Sequence, residues 1–226
     1  MKEKFGIVVP NSAKEALLLG KINGDTKWHD AIQKETMALE KLSAWKFHPS
    51  SRSMGRDFQL APLRIVFDVK KEESRRKARL VVGGHVVGAS HLEPHSSAVQ
   101  PMSARTALTI AEAHNLKVAG GGVGNAFPRA PSLEKVRAVA REEFGERQGY
   151  AVEAPQSLCG MATVSRAFSL LFGDFIRSQG CAPSRAGPGS LLKKGEGREG
   201  FAFMPTGVGD FLILGASPEP LMKKFL

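Results

Sequence analysis

Apolar residues first recur at helical spacing between Thr26 and Leu42. There Trp28, Ala31, Ile32, Leu39 and Leu42 repeat while Lys34, Glu35, Glu40 and Lys41 take other faces. Asp25 or Thr26 is placed to cap the start, so the pattern predicts an amphipathic helix lying on a core. Upstream, residues 1–25 hold no strong period and end on the turn former Asn23-Gly24-Asp25, which presents them as a lead-in segment. Beyond the aromatic pair Trp45 and Phe47 and a polar loop from Pro49 to Asp57, the period shortens to two. Leu63 to Val69 alternates apolar and polar for much of its length, and Arg79-Leu80-Val81-Val82 is a second β-rich run. The charged stretch from Lys70 to Lys77 between them reads as an exposed hairpin tip.

In the second half, Ser103 can cap a helix running to about His114, with Ala107, Leu108 and Ile110 to bury. Leu116 to Ala119 reads as a short strand ended by Gly120-Gly121-Gly122. Pro128 and Pro131 precede a charged stretch, about Leu133 to Phe144, whose composition favours a helix. Met161, Val164, Phe168, Leu171, Phe172, Phe175 and Ile176 mark the clearest helix of the chain, which stops near Gly180. A loose Gly/Pro/Lys segment from Pro183 to Gly200 leads to two short runs, Phe201–Met204 and Phe211–Leu214, joined by a turn from Pro205 to Asp210. No internal repeat or heptad series appears. This order of elements predicts an α+β protein with mostly antiparallel strands.

Composition narrows the class. At 226 residues the chain fits one large domain or two small lobes, and 42% hydrophobic with 24% charged residues is ordinary for a soluble globular protein. No apolar run approaches the roughly 18 residues of a membrane-spanning helix. The start, Met1-Lys2-Glu3-Lys4-Phe5, is too charged for a secretory signal. Cys159 and Cys181 form no C-x-x-C motif, which favours a reduced intracellular compartment, cytoplasm or nucleus, over a disulfide framework. The net charge of +10 attracts polyanions, and nucleic acid is the commonest of these inside a cell.

Other chemistries fit less well. Gly120-Gly121-Gly122-Val123-Gly124 follows a strand but departs from G-x-G-x-x-G at Asn125, and Pro128 and Pro131 prevent a long helix from aiming its N-terminus at a phosphate. His85, His91, Glu93 and His95 include metal-ligand types, but their spacing around Pro94 lacks the tight paired ligands of a zinc site. No G-x-S-x-G points to a nucleophilic serine.

Several segments taken together resemble one family. Trp28-x-x-Ala31-x-x-x-Glu35-x-x-Ala38-Leu39, then Trp45, then Lys77-Ala78-Arg79-Leu80-Val81-x-x-Gly84 are similar to the opening of copia-type retrotransposon reverse transcriptases. So are Gly124-Asn125-Ala126-Phe127, Leu158-x-Gly160-Met161-x-x-x-Ser165-Arg166, and the hairpin with Val208-x-Asp210. Their order and rough spacing agree over about residues 26–226. The resemblance implies an α+β fingers-and-palm fold, with fingers at about 26–115 and 130–155 and palm at about 116–129 and 156–226. In the family a thumb and a ribonuclease H domain follow; here the sequence ends at Leu226, so the expectation is a fold without the thumb.

The resemblance also implies a chemistry. Such polymerases use two Mg2+ ions about 3.5–4 Å apart, held by carboxylates beside the nucleotide phosphates. The family places one Asp on the first palm strand and two more in a Tyr-x-Asp-Asp hairpin. Here those positions read Gly122 for the first and Gly209-Asp210 for the pair, so Asp210 alone remains as a catalytic and metal-binding carboxylate. Polymerase activity and Mg2+ binding are therefore expected to be lost. Cys159 stands where the family usually has Tyr, and Gly187 lies beside Pro188 where it often has Asp; Asp-to-Gly and Tyr-to-Cys each need a single A-to-G base change, the signature of a decayed or hypermutated element.

Other roles carry over by position. Lys77 and Arg79 match basic finger residues that reach the deoxynucleoside triphosphate, and Phe127 matches the bulky residue under the incoming sugar. Arg75 and Arg76 beside them, and Arg166 after the second palm motif, are candidates for contact with an RNA or DNA template-primer. Ala162 and Thr163 replace the Lys-Gln often found before Arg166, which weakens that assignment. The alternative is a non-catalytic nucleic-acid-binding relic or a pseudogene product.

Overall fold

The computed structural model describes residues 2–49, 57–84, 99–185, 189–193, 202–206 and 209–224. Two short strands, β1 (Lys2–Lys4) and β2 (Ile7–Val9), precede helices α1 (Ala13–Asn23) and α2 (Lys27–Lys41). Strands β3 (Lys46–His48), β4 (Gln59–Leu60), β5 (Leu63–Lys70) and β6 (Arg75–Val82) follow. Next come α3 (Pro101–Ala113), β7 (Lys117–Gly122), the single turn α4 (Ala126–Arg129), β8 (Val136–Val139) and β9 (Ala151–Glu153). The chain closes with α5 (Val164–Ser178), β10 (Cys181–Pro183), β11 (Ser190–Lys193), β12 (Ala202–Pro205), β13 (Asp210–Gly215) and α6 (Glu219–Met222). The fold is mixed α+β, and of its strand pairings only β4 with β8 is parallel among the described residues.

The chain forms two compact units, Met1–Glu93 with Phe127–Val164, and Pro94–Ala126 with Ser165–Leu226. The first holds the β1–β2 and β5–β6 hairpins and a four-stranded sheet ordered β3-β9-β8-β4. Leu63, Ile65, Phe67 and Val69 of β5 point inward in strict alternation, and Ala78, Leu80 and Val82 of β6 join them. Helix α2 closes this face, with Trp28 buried and edge-on to Phe67 at 5.5 Å between ring centroids. Asp25 Oδ1 accepts from the Lys27 amide, while the Thr26 hydroxyl bonds Asp30 instead of capping α2. A second aromatic group, Trp45, Phe47 and Phe144, packs edge-to-face, and the Arg147 guanidinium lies 4.6 Å from the Phe47 ring centroid.

The second unit is built on an antiparallel sheet ordered β10-β11-β12-β13-β7. Ile176 of α5 packs with Met204, Phe211, Ile213 and Leu221 in one cluster, while Ala107 and Ala111 of α3 pack with Leu214 in another.

Several elements differ from what the pattern predicts. Residues 2–24 are a hairpin and a capped helix that contribute Val9, Ala13, Ala16 and Leu19 to the first core. The inward stripe of α1 is mostly alanine, with Leu17, Leu18 and Ile22 outside, so its period is hard to see in hydrophobicity. The stretch 133–144 is a strand followed by a 3-10 turn: Val136, Ala138 and Ala140 are buried at a period of two, again mostly through alanine. Helix α3 starts at Pro101, whose missing N–H costs nothing at the first helical position, and it buries Ala107 and Ala111 while Leu108 and Ile110 stay exposed. The segment from Pro183 contributes β11, and the charged strand β6 begins at Arg75, leaving a tip of only Lys71 to Ser74.

The glycine run is the largest departure. Gly120, Gly121 and Gly122 do not end the strand; they pair with Leu212, Phe211 and Asp210 of β13. Partner side chains fold over them, and a Cβ at Gly121 would stand 3.0 Å from the Phe211 ring and 3.1 Å from the Met222 sulfur. Pairing supplies here what the side chains cannot.

Candidate functional site

The residues singled out by sequence fall into two groups, one in each unit. In the first unit, β6 alternates so that Arg75, Lys77 and Arg79 share the face away from the core. Their ladder partners on β5 are Lys70, Asp68 and Val66, and Arg64 continues the same face opposite Val81. Asp68, opposite Lys77, is engaged by Lys4 Nζ at 2.6 Å, which holds its carboxyl below the usual carboxylate range. The face is thus a row of cations whose nearest ladder carboxylate already has a partner. Arg76 points the other way: it is half-buried and donates to the Ser74 carbonyl at 3.3 Å.

The outer edge of β6 is closed by groups from distant segments. The Leu80 amide donates to Glu35 Oε1 of α2 at 3.3 Å, and the Val82 amide donates to the Cys159 carbonyl at 2.7 Å. Gly160, with φ of 93°, turns tightly enough that a Cβ there would collide with the Val82 carbonyl; a Cβ at Gly84 would collide with the Gly160 carbonyl. Three of the sequence segments therefore meet at this edge, for a packing reason that glycine alone satisfies at two positions.

Charge at this edge is finely divided. Burial pushes the Glu35 carboxyl up, opposed by the Leu80 amide and by Arg79 and Lys77. Burial, with Arg79, Lys70 and Arg75 close by, pushes the Lys77 ammonium down, and Glu35 opposes that. Burial raises the Cys159 thiol, with Arg79 as the main opposing influence. A raised thiol is less often present as the nucleophilic thiolate.

Phe127 is half-buried and packs against the first unit's core. Glu134 was hidden in the charged stretch: it is buried, and its Oε1 accepts from both the amide and the hydroxyl of Thr163 at 2.7 Å, fixing the start of α5. Thr163 thus has a structural partner in place of the glutamine that the resemblance leads one to expect. No sequence signal distinguished Glu134 from its charged neighbours.

In the second unit Asp210 opens β13 on an exposed position, directly opposite Gly122 in the ladder. A Cβ built on Gly122 would sit 2.7 Å from Asp210 Oδ1, so side chains at 122 and 210 share one space. Gly209 precedes it with φ of 89°, and its carbonyl accepts from the Val123 amide at 2.7 Å. Arg166 stands half-buried on the first turn of α5. The donor set is poor for a pair of magnesium ions: Gly122 and Gly209 offer no side-chain oxygen, so Asp210 would be the lone protein carboxylate for two cations that each seek several hard oxygen ligands. Among the described residues no three His, Cys, Asp or Glu side chains come together as metal ligands. His85, His91, Glu93 and His95, and Gly187 beside Pro188, lie outside the described residues.

No helix among the described residues is long and apolar enough to cross a membrane. No protein-family model matches the sequence, and no curated protein matches it.

Proposed function

We propose that this chain is a reverse-transcriptase-like fingers-and-palm protein that no longer polymerises and that holds nucleic acid by its phosphates. The observation that carries the loss is the ladder pairing of Asp210 with Gly122. The resemblance expects carboxylates at both of these positions, and their adjacency is what a shared cation would require. A glycine at one of them removes the second ligand from the place where it would act.

The phosphate-binding half rests on the cationic row Arg64, Lys70, Arg75, Lys77 and Arg79. The cations at alternate positions of β6, Arg75, Lys77 and Arg79, repeat at about 6–7 Å, so several can engage phosphates of one strand at once. Lys77 is half-buried between the exposed Arg75 and Arg79, and salt screens its contacts less than theirs. Contacts of this kind read backbone, not bases, so the binding is indifferent to sequence.

Binding of a dye-labelled RNA–DNA hybrid, followed by anisotropy as salt is raised, tests this half. Affinity should fall steeply and log-linearly with salt, and hybrids of different sequence should bind alike. An affinity that ignores salt would overturn it.

A further inference from the structure

Two carboxylates border the cations of β6, and they differ in what holds them. Asp68, across the ladder from Lys77, is engaged by Lys4, which holds it below the usual carboxylate range and therefore charged at neutral pH. Glu35 reaches the strand from α2 at its outer edge, where its Oε1 accepts from the Leu80 amide at 3.3 Å. Leu80 follows Arg79 in the chain, and both Arg79 and Lys77 lie within electrostatic reach of the Glu35 carboxyl. Among the described residues no direct ion pair joins Glu35 to either cation. The remaining titratable neighbour is Cys159, a thiol that burial keeps protonated. Glu35 is half-buried, so its charge and those of the two cations are only partly screened from one another.

We infer that Glu35 regulates phosphate binding at Arg79 and Lys77: its carboxylate competes with a docking phosphate for the two cations, and it takes up a proton when the phosphate arrives. The inference rests on the phosphate-binding reading of this face. Its physical basis is linkage. Arg79 and Lys77 favour the charged carboxylate, while burial favours the protonated form. A phosphate on the same cations adds a second negative charge beside Glu35 and tips that balance toward the proton. Reciprocally, a proton on Glu35 strengthens phosphate binding by the same factor, so affinity falls as pH rises and Glu35 ionises. The protonated group still offers its carbonyl oxygen to the Leu80 amide, so the edge of β6 stays closed in both states.

The test titrates the full chain with a labelled RNA–DNA hybrid at fixed ionic strength, from about pH 4.5 to about pH 7, with Glu35→Gln beside the wild type. Lys77 loses its proton from the alkaline side, so the range stops at neutrality. Wild-type affinity should fall as pH rises. The Gln variant should bind about three- to fivefold more tightly than the wild type at neutral pH, and the gap should narrow toward the acid end. Calorimetry in two buffers of different ionisation enthalpy reads the proton itself: the wild type should take up protons on binding, and the variant fewer. Circular dichroism checks that the variant is folded, and the wild-type proton count needs no variant. Parallel pH profiles for the two proteins, or binding by the wild type without proton uptake, would overturn the inference and leave the phosphate-binding reading standing. Absence of salt-dependent binding at every pH would overturn both.

Discussion

Arg79 sits where the cationic row of β6 meets Glu35, and its replacement separates contact from mere net charge. Arg79→Ala should weaken hybrid binding by about 1 kcal/mol and lower the slope of log affinity against log salt by about one, whereas removal of a cation off this face should change both less. Glu35 acts in the opposite sense. Its folded pKa is raised, chiefly by burial, so between the ordinary carboxylate value and the folded one the native state keeps a proton that the unfolded chain has lost. Stability therefore falls as pH rises through that window. Glu35→Gln keeps an acceptor for the Leu80 amide and removes the charge; urea midpoints measured from about pH 4 to 8 should decline less with pH than those of the wild type. Gly160→Ala meets both a left-handed φ and the Val82 carbonyl, and should cost at least about 2 kcal/mol by urea unfolding.

At the scale of elements, the hairpin of β5 and β6 behaves as its alternation predicts, and α2 and α5 follow their spacing. Three stretches were illegible for one shared reason. In α1 and along 136–140 two of every three buried positions are alanine, which carries little hydrophobic contrast, and in β7 glycine carries none. Ladder pairing with β13 makes a strand of Gly120–Gly122 through contacts about 90 residues away, beyond the reach of any local pattern. Gly121→Val should place branched methyls against Phe211 and Met222 and destabilise the second unit by about 1–3 kcal/mol, seen as a lower melting temperature. The candidate residues were legible as identities, but not their grouping. Nothing local told that Glu35, Gly84 and Gly160 close one strand edge, since that depends on which side of β6 each distant segment reaches.

For the whole molecule, the proposed reading has the net charge of +10 supply a long-range attraction for polyanions and the β6 face the place where a strand would dock. Catalysis asks for more than charge: two carboxylates must converge, and here the ladder brings a carboxylate to a glycine. An Asp placed at position 209 would have to adopt φ near 89°, at a cost of about 1–2 kcal/mol for an L residue. On the proposed reading, binding and chemistry are separable in this chain. The most direct measurement isolates the complex of the wild-type chain with a labelled RNA template and DNA primer, adds deoxynucleoside triphosphates with Mg2+ or Mn2+, and reads primer length. The account predicts a primer that is retained by the protein and unextended; a ladder of extended primer would contradict it.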